Sequence, residues 1–332
     1  MIFRQTVEEI TVTTILLNGN HAFMAALGLL VAFAGTCFFT AKCSKFLPKD
    51  AGREFAHDGK LSAGKPRGAG IIFILVFVVA SLIFIPPVNL EIVIYLLLIV
   101  AEMLTGFMDD ASEHPWGEYK KGLLDLIIAI ILAATYLHFN SSSIEIATLG
   151  INIDIPPILF GLLTVILVWG SINVTNCSDG VDGLSGTLAI VTLGTFYVID
   201  NIKGKQDQFS VLILMFIICI LGYLWYNATP SRLLMGDAGS RAMGIFISIV
   251  ALKSGSPLLY IPVAIVFILD GGLGLLKVAL IRGFKIHILT NVRTPLHDHV
   301  RKVMGWSNTQ TVFRFAIIQI VVSVAVVYLL LL

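Results

Sequence analysis

Asp109, Asp110, Asp179, Asp182 and Asp237 stand in short polar strings interrupting an otherwise apolar sequence. The first string is the pair Asp109-Asp110. The second runs from Asn173 through Asn176, Asp179, Gly180 and Asp182 to Gly183. The third joins Asn227 and Pro230 to Met235-Gly236-Asp237-Ala238-Gly239-Ser240, and the fourth is Pro295-Leu296-His297-Asp298-His299. Several carboxylates brought together would repel one another and raise their own pKa values unless a cation compensates them. Oxygen donors without a cysteine cluster favour a hard divalent ion. Magnesium typically takes one or two carboxylates and fills its shell with water and substrate phosphates. The residue types therefore suggest diphosphate chemistry, with Mg²⁺ as the expected cofactor neutralising phosphate charge and organising a displacement.

Such strings need elements to hold them. The chain has 332 residues, 57% of them hydrophobic and 13% charged, with a mean hydropathy of +0.92. That is about half the charge a soluble domain carries. Composition therefore excludes soluble, disordered, collagen-like, coiled-coil and disulfide-scaffold classes. It leaves an all-α polytopic membrane protein, forming one domain over 1–332 with the lipid bilayer as its medium. A net charge of +1 gives no ground for a nucleic-acid partner, and none is expected. Cys37, Cys43, Cys177 and Cys219 lack paired spacing and read as buried free thiols. Arg4, followed by Glu8 and Glu9, does not open a cleavable signal.

A bilayer core about 30 Å thick needs roughly 20 apolar residues in a helix. Ten such runs are predicted, at about 22–41, 69–87, 90–108, 122–139, 155–172, 183–200, 210–226, 240–253, 258–281 and 312–332. The eighth is the weakest, and Pro86-Pro87 and Pro156-Pro157 mark helix ends. Loops after odd-numbered runs carry fifteen Lys and Arg, against four on the other side. The first set is thus expected in the cytoplasm and both termini outside. All four polar strings follow odd-numbered runs, so they are expected to share one cytoplasmic-face active site. No internal repeat suggests the inverted halves of a transporter.

Two readings stay open at several positions. The glycines and aspartates at 179–183 and 236–240 could present helix N-termini to phosphate, or simply cap those helices. His297 and His299 are poor zinc ligands, lacking a third partner at helical spacing. They suit a phosphate contact or proton donor, or are solvated loop histidines. Glu102, Asp270 and Lys277 lie inside predicted spans, where a charge costs about 2.5–3.5 kcal/mol. Asp270 and Lys277, two turns apart, could pair, or Asp270-Gly271-Gly272 could break the ninth helix and admit a lipid.

In their order and spacing the four strings resemble the polyprenyl-phosphate N-acetylhexosamine-1-phosphate transferases, a family of ten-span membrane enzymes. Thr294-Pro295-Leu296-His297-Asp298-His299, followed by Gly305-Trp306 and Arg314-Phe315, is most similar to its phospho-N-acetylmuramoyl-pentapeptide-transferase branch. The resemblance implies transfer of phospho-N-acetylmuramoyl-pentapeptide from UDP-MurNAc-pentapeptide to undecaprenyl phosphate in a bacterial plasma membrane. Lipid I and UMP would be the products, and a homodimer is implied as well. Transfer of N-acetylglucosamine-1-phosphate is the alternative within the family. An intramembrane prenyltransferase and a transporter are the alternatives outside it.

The same resemblance implies roles for individual residues. Asp237 corresponds to the magnesium ligand, Asp109 and Asp110 to the pair that handles the lipid phosphate, and His297 to a histidine near the leaving diphosphate. On the substrate side, Asn173, Asn176, Asp179, Gly180 and Asp182 correspond to the nucleotide loop. Asn227 corresponds to a support of the metal site, Lys121 to a phosphate-binding lysine and His299 to a further substrate contact. The chain departs from the family pattern at Asp298, Glu113 and Leu234, and its early stretch reads Pro66-Arg67-Gly68-Ala69-Gly70. Lys60 or Lys65 could supply the lysine expected near that stretch. The expected mechanism is direct attack by the lipid phosphate, with a covalent aspartyl-phosphate route through Asp109 or Asp110 as its rival.

Overall fold

Long apolar runs become helices because lipid offers no partner for an open backbone N–H or C=O. The computed structural model describes residues 2–52, 62–85, 88–114, 116–205 and 207–332, and for 2–21 the backbone alone. Arg53, Lys60 and the Pro86-Pro87 turn lie outside the described residues, as do the side chains of Arg4, Glu8 and Glu9.

The protein is a mostly helical bundle. Its main helices are α1 (Ile2–Cys43), α2 (Gly70–Phe84), α3 (Leu90–Asp110), α4 (Glu118–Phe139), α5 (Pro157–Cys177), α6 (Leu184–Ile202), α7 (Gln208–Asn227) and α8 (Gly236–Lys253). Beyond a broken segment follow α9 (Leu273–Phe284), the short α10 (Leu296–Lys302) and α11 (Asn308–Leu331). Among the described residues seven helices are long and apolar enough to cross a membrane, or eight if the broken segment is one span. The chain is thus a polytopic membrane protein by composition and length. Two predicted runs fall short of that measure: α2 has 15 residues, and α8 carries Asp237, Arg241 and several small polar residues.

The weak apolar signal of α8 has a physical cause. This helix is the hub of the bundle, buried along nearly its whole length, and it packs against α2, α3 and α5. Small residues let those neighbours come close. A Cβ on Gly70 would lie 2.0 Å from the backbone nitrogen of Gly239, and one on Gly106 would lie 2.4 Å from the carbonyl carbon of Asp237. Alanine at either position would force α2 or α3 away from the start of α8.

Two features differ from the sequence expectation. Ser143–Ile146 and Ile151–Asp154 form an antiparallel two-stranded hairpin between α4 and α5, so the chain is not purely helical. The alternating isoleucines at 144, 146, 151 and 153 were its signal. The ninth helix also breaks elsewhere than at Asp270-Gly271-Gly272. Pro257–Val263 and Ile265–Phe284 meet at 68°, next to Pro262, which cannot donate a backbone hydrogen bond. The groups freed there find partners. Gln319 accepts from the Val266 N–H at 3.0 Å and donates to the Pro262 carbonyl, while the Thr192 hydroxyl donates to the Val263 carbonyl. Ile268–Gly272 instead forms one π-helical turn, which brings Gly271 against the Val174 carbonyl of α5.

The four cysteines are free, as expected, but only Cys219 is fully buried.

Candidate active site

The predicted polar strings converge because the ends of α3, α5, α7 and α8 meet a stretch of extended backbone. Residues 65–67 run between two neighbours and turn at Gly68 and Ala69 into α2. The Arg67 N–H donates to the Pro48 carbonyl on one side, and on the other Leu234 donates to Pro66 and Ala69 to Leu234. This doubly held segment fixes Arg67 over the acidic cluster. Its Nε donates to Asp110 Oδ1 at 2.7 Å, and its terminal nitrogens lie 3.3 Å from Asp50 and 3.5 Å from Asp237. Burial opposes the guanidinium charge. Asp110, Asp237 and Asp50 outweigh that effect and move its pKa further up, so Arg67 is a permanent cation.

Lys121, on the first turn of α4, is the second cation. Its ammonium contacts Asp109 Oδ2 and lies 3.0 Å from Asp237 Oδ2. Two cations thus face four carboxylates, those of Asp50, Asp109, Asp110 and Asp237. With all of them ionised the cluster carries an excess of two negative charges. A single divalent cation would balance it, and the donors are the hard oxygens such a cation prefers. Among the described residues no three His, Cys, Asp or Glu side chains form a metal cage of their own. A site that borrows phosphate oxygens from its substrate needs no such cage.

Both pair aspartates have both carboxylate oxygens engaged. Asp109 Oδ1 accepts from the Trp116 N–H at 2.6 Å, and Asp110 Oδ2 accepts from the Ala238 N–H at 3.1 Å. Asp110 therefore occupies the N-terminus of α8, the place where sequence alone allowed a phosphate. Simple capping does not account for the other aspartates. Neither α6 nor α8 is capped by the side chain of its own N-cap residue, and Asp182 accepts instead from the Ser231 N–H at 3.1 Å, with Lys65 4.0 Å away. Of the two lysines weighed for this region, Lys65 lies 4.0 Å from Asp182, while Lys60 is outside the described residues.

The two asparagine positions of the second string separate. Asn176 donates to the Ser240 hydroxyl at 2.9 Å and ties α5 to α8. Asn173 points inward, donating to Asp125 at 3.3 Å and to the Trp169 carbonyl. Asn227 accepts from the Gly183 N–H and donates to the Leu233 carbonyl, so it joins the second and third strings. Asp179 and Gly180 lie in the turn between them, half-buried and exposed respectively.

His297 is buried, and Asp270 holds it by two hydrogen bonds, from its backbone N–H at 2.7 Å and its Nδ1 at 2.8 Å. With Nδ1 committed to the carboxylate, Nε2 is the free ring nitrogen. It faces Gly180, where a Cβ would lie 2.3 Å from it. Arg301 donates to the Gly180 carbonyl and to Asp298, completing the contact between the second and fourth strings. Asp270 and Lys277 do not pair with each other. Lys277 donates to the carbonyls of Leu289 and Val292, where it secures the loop leading to α10. His299 Nδ1 accepts from the Arg293 N–H at 3.3 Å, on the outer side of the turn.

Comparisons with known proteins give the chain a family. Residues 92–255 match the family described as Glycosyl transferase family 4. A phospho-N-acetylmuramoyl-pentapeptide-transferase of Treponema pallidum is 40% identical over 318 residues, covering 90% of this chain and 87% of the relative. Proteins of the same name from Campylobacter jejuni and Symbiobacterium thermophilum are each 30% identical. The first covers 89% of this chain and 93% of the relative, the second 76% and 78%. The chain belongs to the phospho-N-acetylmuramoyl-pentapeptide-transferase family.

Within that family the departures read from the sequence acquire places. Lys121, and not Glu113, supplies the ammonium that meets Asp109. Leu234 serves through its backbone, paired with Pro66 and Ala69. Asp298 lies on the outer face of α10, against Arg301 and Lys302. Burial raises its pKa, but His297, Lys302 and Arg301 outweigh that and hold it below the usual carboxylate range. Sequence reasoning passed over Arg67, Asp125 and Arg241. A cation at 67 standing beside two glycines, before a predicted span, was the available signal for the first.

Proposed function

We propose that this chain transfers phospho-N-acetylmuramoyl-pentapeptide from UDP-MurNAc-pentapeptide to undecaprenyl phosphate, releasing UMP and leaving lipid I. The family name of its relatives supports this reading. The observation that carries it here is the meeting of Asp109, Asp110 and Asp237 around the two cations Arg67 and Lys121. Mg²⁺ held at Asp237, with Asp109 and Asp110 beside it, would supply charge neutralisation for a diphosphate.

The chain's own groups account for the rest. A phosphomonoester has its second pKa near 6, so the lipid phosphate is already largely ionised at neutral pH and needs no strong base. Its oxygen attacks the sugar-linked phosphorus. The new P–O bond replaces the one to the nucleotide's phosphate, and that electron pair leaves with UMP. Arg67 and Lys121 are placed to bind and orient phosphate oxygens, which is most of what such a displacement requires. His297, with Nε2 free, is placed to hold a hydrogen bond to the leaving side. Engagement of both oxygens on Asp109 and on Asp110 favours direct displacement over an aspartyl-phosphate intermediate.

The same reading puts ten spans across a bacterial plasma membrane, with α2 and α8 among them, the site facing the cytoplasm and both termini outside. Its support is the charge asymmetry of the loops, fifteen cations against four. A homodimer is the proposed assembly, on family resemblance alone. The deciding experiment offers the purified enzyme undecaprenyl phosphate and Mg²⁺ with either UDP-MurNAc-pentapeptide or UDP-GlcNAc. UMP release and a lipid-linked product are expected with the first donor. Turnover of UDP-GlcNAc instead would move the chain to the other branch, and no UMP from either donor would overturn the transferase reading.

A further inference from the structure

Three ionisable side chains lie one to two helical turns deeper in the bundle than the cluster of Asp109, Asp110 and Asp237. Arg241 of α8 is 2% exposed; its Nε lies 2.8 Å from Glu102 Oε1 of α3, and its Nη2 bonds to Asp125 Oδ1 of α4. Glu102 is fully buried and Asp125 nearly so. Asp125 also accepts from Asn173 of α5. Arg241 Nη1 has no hydrogen-bond partner.

Stability alone does not explain such a triad. Charges within a membrane are expensive, and replacing a buried ion triad by well-packed hydrophobic residues of similar volume is often neutral or stabilising. Its placement supplies another reason. Arg241 follows Asp237 by four residues, Asp125 follows Lys121 by four, and Glu102 precedes Asp109 by seven. These are one, one and two helical turns along the same helix faces, about 6, 6 and 10 Å deeper. The helices that carry the ionic site are therefore the ones Arg241 ties together. The site depends on their register, because Asp109 and Asp237 share one ammonium and Asp110 and Asp237 share one guanidinium. A slip of one residue along a helix, about 1.5 Å, would separate both pairs.

We propose that Arg241 is a positioning residue, whose bridge between Glu102 and Asp125 sets the axial register that lets Asp237, Asp109 and Lys121 meet. The proposal rests on the transferase reading.

The test compares wild type with R241M and with the triple variant E102Q/D125N/R241M, reading melting temperature in detergent and the separate values of kcat and KM for UDP-MurNAc-pentapeptide. R241M, which strands two buried carboxylates, is expected to lose both stability and turnover. The triple variant is expected to regain a melting temperature close to wild type while kcat stays about ten- to a hundredfold down, with KM changed less than threefold. A triple variant with wild-type kcat, or one whose loss lies in KM, would reduce the triad to a structural tie and sink the proposal. Should the triple variant not accumulate in membranes, R241K decides. Its ammonium keeps the charge but cannot fork to both carboxylates, so kcat must fall at near-normal melting temperature, and an unchanged kcat overturns the role. A wild-type protein that releases no UMP overturns the transferase reading and this proposal together; a working wild type matched by its variants overturns the proposal alone.

Discussion

The two ends of α8 are both rich in charge, yet they are built on different plans. At its N-terminal end, Arg67 and Lys121 are shared among Asp50, Asp109, Asp110 and Asp237. At its C-terminal end, lysines are matched to carboxylates of their own. Lys253 sits 3.0 Å from both oxygens of Glu91 and donates to Asn140, and Lys203 pairs with Glu145 and Ser256. Lys203 and Lys205 also donate to the Ser254 carbonyl, where cations offset the negative end of the helix dipole. Matched pairs of this kind fasten α3, α4, the hairpin and α8 together. On the proposed reading, the shared cluster instead leaves room for a cation and a phosphate to complete it. On that same reading, the difference separates ion pairs that hold the bundle from ion pairs that await a ligand.

The sharpest way to break that distinction is at Asp237, the carboxylate that touches both cations. D237N keeps the shape of the side chain and removes its charge. It is expected to lower turnover by about 10³-fold, in the range seen when a main electrostatic contact is lost, with the protein still inserted and its melting temperature near wild type. UMP release from UDP-MurNAc-pentapeptide measures this. A rate within tenfold of wild type would mean that the cluster is as structural as the other end.

A smaller effect is expected at Asp270, which takes no part in the shared cluster. It accepts from both the backbone N–H and the Nδ1 of His297, so it fixes the ring's tautomer and direction. D270N can still accept at one atom but offers an amide N–H to the other. The imidazole would then turn or change tautomer, and Nε2 would lose its aim past Gly180. The expected loss is about 10²-fold in kcat, the lower range for a positioned proton-transfer group, with KM for the nucleotide little changed. A pH–rate profile identical to wild type at undiminished kcat would remove His297 from the reaction.

Much of this was legible in the sequence. The positions of the helices followed from apolar run length, and the meeting of the four polar strings followed from their parity along the chain. Pairing was not legible, because it depends on how helices rotate and slide against one another. Arg67 stood in a stretch that departs from the family pattern, and only its backbone pairing with residues 48 and 234 places it over Asp110. Asp270 and Lys277 fit one helix face by arithmetic, yet the π-helical turn and the nearness of α10 gave each a different partner. The offsets of Arg241, Asp125 and Glu102 from Asp237, Lys121 and Asp109 were countable from the start. Their meaning emerged only once α3, α4 and α8 were seen to touch.

The smallest change is expected where the comparison treats charge as fastening alone. K253M leaves Glu91 with the Tyr95 hydroxyl at 2.9 Å and the Asn140 amide at 2.6 Å, so the carboxylate is not stranded. The pair is partly exposed, with side chains 19% and 10% accessible. Its loss should therefore fall between the values for surface and buried ion pairs, about 1–2 kcal/mol, read as a fall of a few degrees in melting temperature. Turnover at a temperature where both proteins are folded should stay within twofold of wild type, since Lys253 lies at the far end of an 18-residue helix from Asp237. A K253M enzyme that kept its melting temperature but lost kcat would place this end in the reaction and erase the difference between the two plans.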